Sequence, residues 1–150
     1  MVEPRQVVFL LDECFPYRIA DVLKEFGYPI VSWHEEFKGV EGIKDDKLIP
    51  YLGDKGYAWI TKDDAARKDH APEIRQARIS VVWVRGFERR KGAIPKNRIT
   101  TKELHKMLTI KLEAIAGEVG RSRRPLYFLL YLDSSGKAVA KPVTLEEYFR

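Results

Sequence analysis

The sequence contains a single cysteine, Cys14, and no long hydrophobic run. One cysteine excludes an internal disulfide and agrees with a reducing cytoplasm. Apolar runs such as YFLLYL are far shorter than the roughly 20 residues that a membrane helix needs. The N-terminal stretch MVEPRQVVFLLDE enters a strand pattern directly, without the pattern of a signal peptide. We therefore expect a cytoplasmic protein that has no membrane contact.

Histidine is also scarce. The three histidines, His34, His70 and His105, are scattered along the chain. They do not have the spacing of zinc ligands, and this excludes a zinc site built from His and Cys.

The charged residues are unevenly distributed along the 150-residue chain, whose length predicts a single domain over residues 1–150. Residues 1–84 contain 12 Lys or Arg against 15 Asp or Glu, whereas residues 85–124 contain 12 against 4. A basic segment that follows an acidic half predicts a polyanionic partner. A solvated basic helix would give the same pattern, so charge alone leaves both interpretations open.

Short apolar strands alternate with helical patterns along the chain. Strands are predicted at 7–11, 30–33, 57–61 and 79–84, with helical segments between them. A capping box at Thr100–Glu103 then predicts a long helix that stops at Gly120, followed by a hairpin over 126–142. Strands that are apolar on both faces and separated by helices predict an α/β fold, with a mainly parallel central sheet and helices on both faces.

Pairs of acidic residues follow the predicted strands. The pairs are Asp12 and Glu13, Asp45 and Asp46, and Asp63 and Asp64. Because the carboxyl ends of parallel strands meet at one edge of a sheet, we expect all three pairs at the same edge. Taken singly, the last two pairs are also typical of helix capping. Capping does not explain their convergence, which favours a site for a hard divalent cation, Mg²⁺ or Mn²⁺.

Carboxylates that hold a divalent metal beside a basic segment predict phosphodiester chemistry. The basic segment would hold the phosphate backbone without reading bases. The candidate RNA-binding residues are Arg85, Arg89, Arg90, Lys91, Lys96 and Arg98.

The blocks LLDE, D-x-x-L-I-P and ITKD, spread over residues 7–86, resemble the PIN-like nuclease domains, in particular the branch related to VapC-type toxins of toxin–antitoxin pairs. The resemblance implies a three-layer α/β fold and a Mg²⁺- or Mn²⁺-dependent ribonuclease that is inhibited by a cognate antitoxin. It implies that Asp12, Asp45 and Asp63 are metal ligands and that Glu13 is the acid that follows the first of them.

The chain departs from the PIN-like pattern at Ala65, where relatives often have a further Asp. Asp64, one position earlier, is the alternative fourth ligand. Residues 87–150, a basic loop, a helix and a hairpin, are assigned from physical reasoning alone. Two alternatives stay open: a PIN-like module that binds RNA or protein without cleavage, and a phosphoacceptor receiver domain. The sequence also leaves a homodimer open.

Overall fold

The computed structural model describes residues 5–63 and 68–146, in which six strands form one sheet. The strands are β1 (Val8–Leu11), β2 (Ile30–Ser32), β3 (Tyr57–Thr61), β4 (Val81–Phe87), β5 (Tyr127–Leu132) and β6 (Ala138–Pro142). The helices bounded within these residues are α1 (Tyr17–Glu25), α2 (Trp33–Phe37), α3 (Asp45–Lys55), α4 (Ala71–Ala77) and α5 (Thr101–Arg121). None of the described helices is long and apolar enough to cross a membrane.

The strand order in the sheet is β2-β1-β3-β4-β5-β6. The first five strands in this order are parallel, and β6 pairs with β5 in the antiparallel direction. The order reverses at β1, because the chain steps from β1 to β2 on one side and later returns to place β3 on the other. Loops that leave β1 and β3 therefore diverge and leave a crevice at their carboxyl ends.

Helices cover both faces of the sheet and form two hydrophobic cores. On the first face, Phe9 and Leu11 of β1 pack with residues of α1 and α5. On the second face, Leu10 packs with residues of α2, α3 and α4. The alternation follows from the period of two in a strand, and it explains why β1 is apolar throughout. The predicted three-layer α/β fold is confirmed.

The connection through α5 has an unusual path. The β3–α4–β4 and β4–α5–β5 connections step in the same direction along the sheet, but α4 lies on the second face and α5 on the first. The two crossovers therefore have opposite hands, although nearly all such crossovers are right-handed. To reach the first face, the chain after β4 passes over the carboxyl edge of the sheet.

Several predicted boundaries differ from the structure. Trp33 begins α2 and does not end β2, because the Ser32 hydroxyl accepts a hydrogen bond from the Glu35 N–H (3.0 Å) and caps a helix there. Helix α3 continues through Pro50, since burial of Leu48, Ile49 and Leu52 outweighs the lost backbone hydrogen bond.

Two further boundaries also shift, whereas the helical stretch before β4 is broken near Pro72, as its sequence predicts. Pro72 lies in the first turn of α4, where its missing N–H costs nothing, and the helical residues before it end at Asp69. Strand β4 extends to Phe87, because its pairing with β5 resumes after a bulge. Helix α5 starts at the predicted capping box but runs past Gly120 to Arg121. A capping box predicted at 144–147 lies partly outside the described residues.

Candidate active site

One cavity of about 930 Å³ lies at the carboxyl edge of the sheet. Four of the predicted site residues line it: Asp12, Glu13, Asp45 and Asp63. Asp12 directly follows β1, and Asp63 lies two residues beyond β3, which pairs with β1 with Leu11 opposite Ile60. Asp45 is the first residue of α3. Three separate segments of the sequence therefore bring carboxylates to one cavity.

The Thr61 hydroxyl connects two of these acids. It donates a hydrogen bond to Asp12 Oδ2 (2.6 Å) and accepts one from the Asp63 N–H (3.2 Å). The side chain is fully buried at the end of β3, so its position is fixed by the core. The Asp63 carbonyl accepts a further hydrogen bond from Trp83 Nε1 (3.2 Å), and this fixes the backbone of Asp63 on both sides.

Asp12 is the most perturbed of these carboxylates. Burial raises its pKa from 3.8 to about 6, and the negative charges of Asp45 and Glu13 add to that rise. Hydrogen bonds from the Thr61 hydroxyl and from the Glu13 N–H to Oδ1 (2.8 Å) oppose it. The folded protein therefore holds the Asp12 carboxylate where its ionised form is disfavoured. A cation near Asp12 would stabilise the ionised form.

Asp45 is subject to the same charge crowding. Burial raises its pKa, and Asp63 is the largest electrostatic contributor, followed by smaller effects that include a lowering by His70. Helix α3 has Lys44 at its N-cap and receives no side-chain capping hydrogen bond. The alternative that Asp45 serves as the cap of this helix therefore does not apply.

The other two acids predicted as metal ligands are Asp46 and Asp64. Asp46 is exposed and does not line it, because one step along a helix turns a side chain by about 100°. Asp64, and with it Ala65, lies outside the described residues.

The donors in the cavity suit a hard cation, since all of them are carboxylate oxygens. Within residues 5–63 and 68–146, however, no three His, Cys, Asp or Glu side chains form a group close enough to hold a metal ion by themselves. Mg²⁺ commonly takes one or two carboxylates and keeps several waters. The residues therefore fit a partly hydrated Mg²⁺ or Mn²⁺ ion better than a closed protein cage.

Cationic side chains also line the cavity. Lys96 and Arg98 line it, and they belong to the segment that follows β4. This segment is attached to β4 by hydrogen bonds from the Gly86 N–H to the Lys96 carbonyl (2.7 Å) and from the Lys96 N–H to the Phe87 carbonyl (3.0 Å). The Lys96 ammonium also lies 4.5 Å from the centre of the Phe87 ring. We call residues 95–98 the basic wall.

The remaining candidate RNA-binding residues are placed elsewhere. Arg89, Arg90 and Lys91 are exposed in the loop after β4 and do not line the cavity. Arg85 lies within β4, and its Nε donates a hydrogen bond to the Pro95 carbonyl (3.0 Å), so it supports the basic wall from behind. Of the six predicted residues, Lys96 and Arg98 are the two that line the cavity with the acids.

Sequence reasoning missed several residues of the cavity. Lys62, Asn97 and Glu103 also line it. Glu103 was recognised only as part of the capping box, which it does form with Thr100. Thr61 could have been found from its position, because it is the last residue of a buried strand and the next residue, Lys62, is exposed. Cys14 lines the cavity too, but burial raises its pKa to about 12, so its thiol stays protonated at neutral pH.

Neither a search of the curated proteins nor a search of the solved structures found a match. A comparison with protein-family models did find one, and it agrees with this geometry. The family model described as "PIN like domain" matches residues 7–86, which include β1 to the bulge of β4 and four acids of the cavity, Asp12, Glu13, Asp45 and Asp63. Domains of this kind are generally nucleases of the hydrolase class. The chain belongs to the family of PIN-like domains.

Proposed function

We propose that this protein is a divalent-metal-dependent ribonuclease that cleaves RNA by hydrolysis. The observation that carries the proposal is the single cavity that Asp12, Asp45 and Asp63 line together with Lys96 and Arg98. Crowded carboxylates suit a hard cation, and cationic side chains in the same cavity suit a phosphate backbone. The nuclease character of the family supports the same chemistry.

The residues divide into three roles. Asp12, Asp45 and Asp63, in part through bound waters, would hold Mg²⁺ or Mn²⁺, which when bound supplies a water of lowered pKa and neutralises charge on the leaving oxygen. Lys96 and Arg98 hold phosphate oxygens of the substrate, and Arg89, Arg90 and Lys91 extend the contact along the strand.

Glu13 is the candidate proton acceptor. Its Oε2 accepts a hydrogen bond from the Gly42 N–H (3.2 Å), which holds the side chain at the cavity and leaves Oε1 to accept a proton from the attacking water.

We further propose that the protein is the toxin of a type II toxin–antitoxin pair. The proposal rests on the likeness of LLDE, D-x-x-L-I-P and ITKD to VapC-type toxins. Expression in bacteria should then arrest growth, and the Asp12→Asn variant should be tolerated at equal protein level. Equal growth arrest by both proteins would refute the toxin role. If the wild type does not arrest growth, the toxin role is refuted when the purified protein still cleaves RNA.

The receiver-domain alternative is disfavoured by the placement of α5. A doubly wound sheet of this strand order with right-handed crossovers would place the helix after β4 on the face of α3 and α4, but α5 lies on the other face. A module that binds RNA without cleavage remains the second candidate, since no group of three ligands closes among the described residues.

A melting experiment with paired variants separates these possibilities. Asp63→Asn keeps the shape of the side chain but removes its charge, and Asp46→Asn is the matched control outside the cavity. We expect Mn²⁺ to raise the melting temperature of the wild type and of Asp46→Asn, and to raise that of Asp63→Asn much less. RNA cleavage should be lost in Asp63→Asn alone. An unchanged Mn²⁺ shift in Asp63→Asn would refute the metal site, and a reduced shift without any cleavage by the wild type would favour the binding module.

A further inference from the structure

A second cavity, of about 320 Å³, lies beside the active site. Its volume is at the lower end of the range of small-molecule sites, roughly 300 to 1,000 Å³. Glu13 lines both cavities, so a molecule in the second would be the direct neighbour of a phosphate in the first. The other residues that matter for its chemistry are Phe15, Tyr17, Trp33, His34 and Glu41.

The walls of this cavity are held in place by hydrogen bonds. Trp33 is buried, and its Nε1 donates to the Val40 carbonyl (2.8 Å) across the turn that follows α2. The Gly42 N–H donates to Glu13 Oε2 (3.2 Å), which ties the same turn to the end of β1. The cavity is therefore preformed, and a ligand would not have to order the turn when it binds.

An aromatic pair lines the cavity and lies at the surface. The rings of Tyr17 and His34 are stacked with centroids 4.6 Å apart and an angle of 23° between their planes. Tyr17 is 40% exposed, and His34 is exposed as well. Neither side chain is needed to fill the core, so the pair has the properties of a platform on which a flat ring can stack.

We propose that this cavity binds an unpaired guanine base of the RNA, next to the phosphate that is cleaved. The inference rests on the proposed ribonuclease function. Single-stranded RNA is recognised by bases that stack on aromatic side chains and form hydrogen bonds through their Watson–Crick edges. The aromatic pair supplies the stacking surface, and Glu41, which also lines the cavity, supplies a carboxylate acceptor.

The choice of guanine follows from the chemistry of a carboxylate acceptor. An ionised carboxylate accepts hydrogen bonds and donates none. Guanine presents two adjacent donors, N1–H and N2–H, which match the two oxygens of one carboxylate, as in other bidentate pairs. Uracil has one donor between two carbonyl acceptors, and these would repel the same carboxylate. Adenine and cytosine each offer an amino group without an adjacent N–H donor.

The test measures binding in the absence of cleavage. Fluorescence anisotropy in excess chelator compares two single-stranded hexaribonucleotides, U₆ and the same oligomer with one internal guanosine. We expect the guanosine oligomer to bind at least about fivefold more tightly, the lower end of what a good bidentate contact contributes. Tyr17→Ala should weaken binding of the guanosine oligomer by at least about fivefold, since stacking on the ring is lost. Glu41→Gln should reduce the preference for guanosine and leave binding of U₆ nearly unchanged.

Matched controls exclude general effects. Phe26→Ala removes a 77% exposed aromatic ring at the other end of α1, and Glu25→Gln neutralises an exposed acid there. Both should bind both oligomers as the wild type does. Tyr17→Phe keeps the ring and should retain the preference for guanosine.

The outcomes separate this inference from the proposed function. Equal binding of the two oligomers by the wild type, or an unchanged preference in both Tyr17→Ala and Glu41→Gln, would overturn the guanine site even if the protein cleaves RNA. A guanosine preference that depends on Tyr17, found in a protein that cleaves no RNA when Mn²⁺ is added, would support the base site and refute the ribonuclease.

Discussion

Gly86 packs against the basic wall, so a larger residue at this position should displace the wall from the acids. This substitution tests whether the basic wall binds RNA independently of the acids that would hold the metal. A Cβ atom at this position would lie 2.0 Å from the carbonyl oxygen of Arg98 and 3.3 Å from that of Lys96. Real Cβ contacts are essentially never shorter than 3.0 Å, so the segment at Arg98 must move away by at least 1 Å in Gly86→Ala. Such a shift breaks or lengthens the hydrogen bond of 2.7 Å between the Gly86 N–H and the Lys96 carbonyl.

The expected cost in stability is moderate. Loss of one or two backbone hydrogen bonds costs roughly 0.5–1.5 kcal/mol each, and residual overpacking costs about 1–3 kcal/mol. The basic wall is exposed at Arg98, so it can move outward without opening either hydrophobic core. We therefore expect Gly86→Ala to fold, with a free energy of unfolding lower by about 1.5–6 kcal/mol and nearer the lower end, because the wall can move outward.

Gly86→Ala should also weaken the binding of RNA. If Lys96 and Arg98 no longer reach the backbone of single-stranded RNA, the slope of log affinity against log salt should fall by about 1.4, which is roughly 0.7 for each lost contact. Anisotropy titrations in chelator at several salt concentrations measure this slope. The Mn²⁺-induced rise in melting temperature should stay as in the wild type, because Asp12, Asp45 and Asp63 do not depend on the wall.

Gly117→Ala is the matched control. Its Cβ would meet only the flexible guanidinium of Arg121, at 3.3 Å, and a Gly to Ala change inside a helix stabilises by roughly 1 kcal/mol. RNA binding by this variant should be unchanged. A wild-type salt slope in Gly86→Ala would show that the basic wall does not hold RNA, and loss of the Mn²⁺ shift would show that the basic wall and the acids are not independent.

Three further predictions concern single features of the site. In chelator, the wild type should lose stability as the pH rises from 3.8 through about 6, because folded Asp12 keeps its proton over that range and the unfolded chain does not. Asp12→Asn should remove this loss and be more stable at pH 7 by up to about 3 kcal/mol in urea titrations; a difference that does not vary with pH would contradict this reasoning. Thr61→Val should raise the Asp12 pKa further and move the acidic limb of the cleavage pH profile to higher pH, whereas Thr61→Ser should keep both as in the wild type. An acidic limb that does not move in Thr61→Val would refute the positioning role of Thr61. Charge reversal at Arg89, Arg90 and Lys91 should weaken RNA binding in a salt-dependent way and leave turnover at saturation nearly intact; an unchanged salt slope would place these residues outside the binding surface.

The acid side of the site could be predicted from the sequence because it depends on local patterns and one topological rule. Asp12 and Asp63 follow recognisable strands, and parallel strands end at one edge of a sheet. The choice of Asp45 over Asp46 came from the family resemblance and not from the local pattern, because it depends on which way the first turn of α3 faces. Thr61 was missed for a related reason, since a buried hydroxyl at a strand end has no signature until its two partners are known.

The basic side could not be assigned residue by residue. The sequence shows an excess of positive charge after β4, but Arg89, Arg90 and Lys91 are as basic as Lys96 and Arg98. Their different positions follow from the bulge in β4 and from the close contact at Gly86, which join residues about ten positions apart. Contacts of this kind are set by tertiary structure and leave no periodicity in the chain.

The path of the chain after β4 explains why the site needs both parts of the sequence. The acids lie within residues 7–86, the part that matches the family model, and the basic wall lies just beyond it. Because α5 lies on the face opposite to α4, the connection from β4 to α5 has the opposite hand to the connection through α4. This connection contributes Lys96 and Arg98 to the cavity that the acids line at the carboxyl edge of the sheet. Cationic side chains and carboxylates thus reach one cavity from different parts of the chain, and substrate affinity can vary by changes in residues 95–98 without any change in the acids that carry the proposed chemistry.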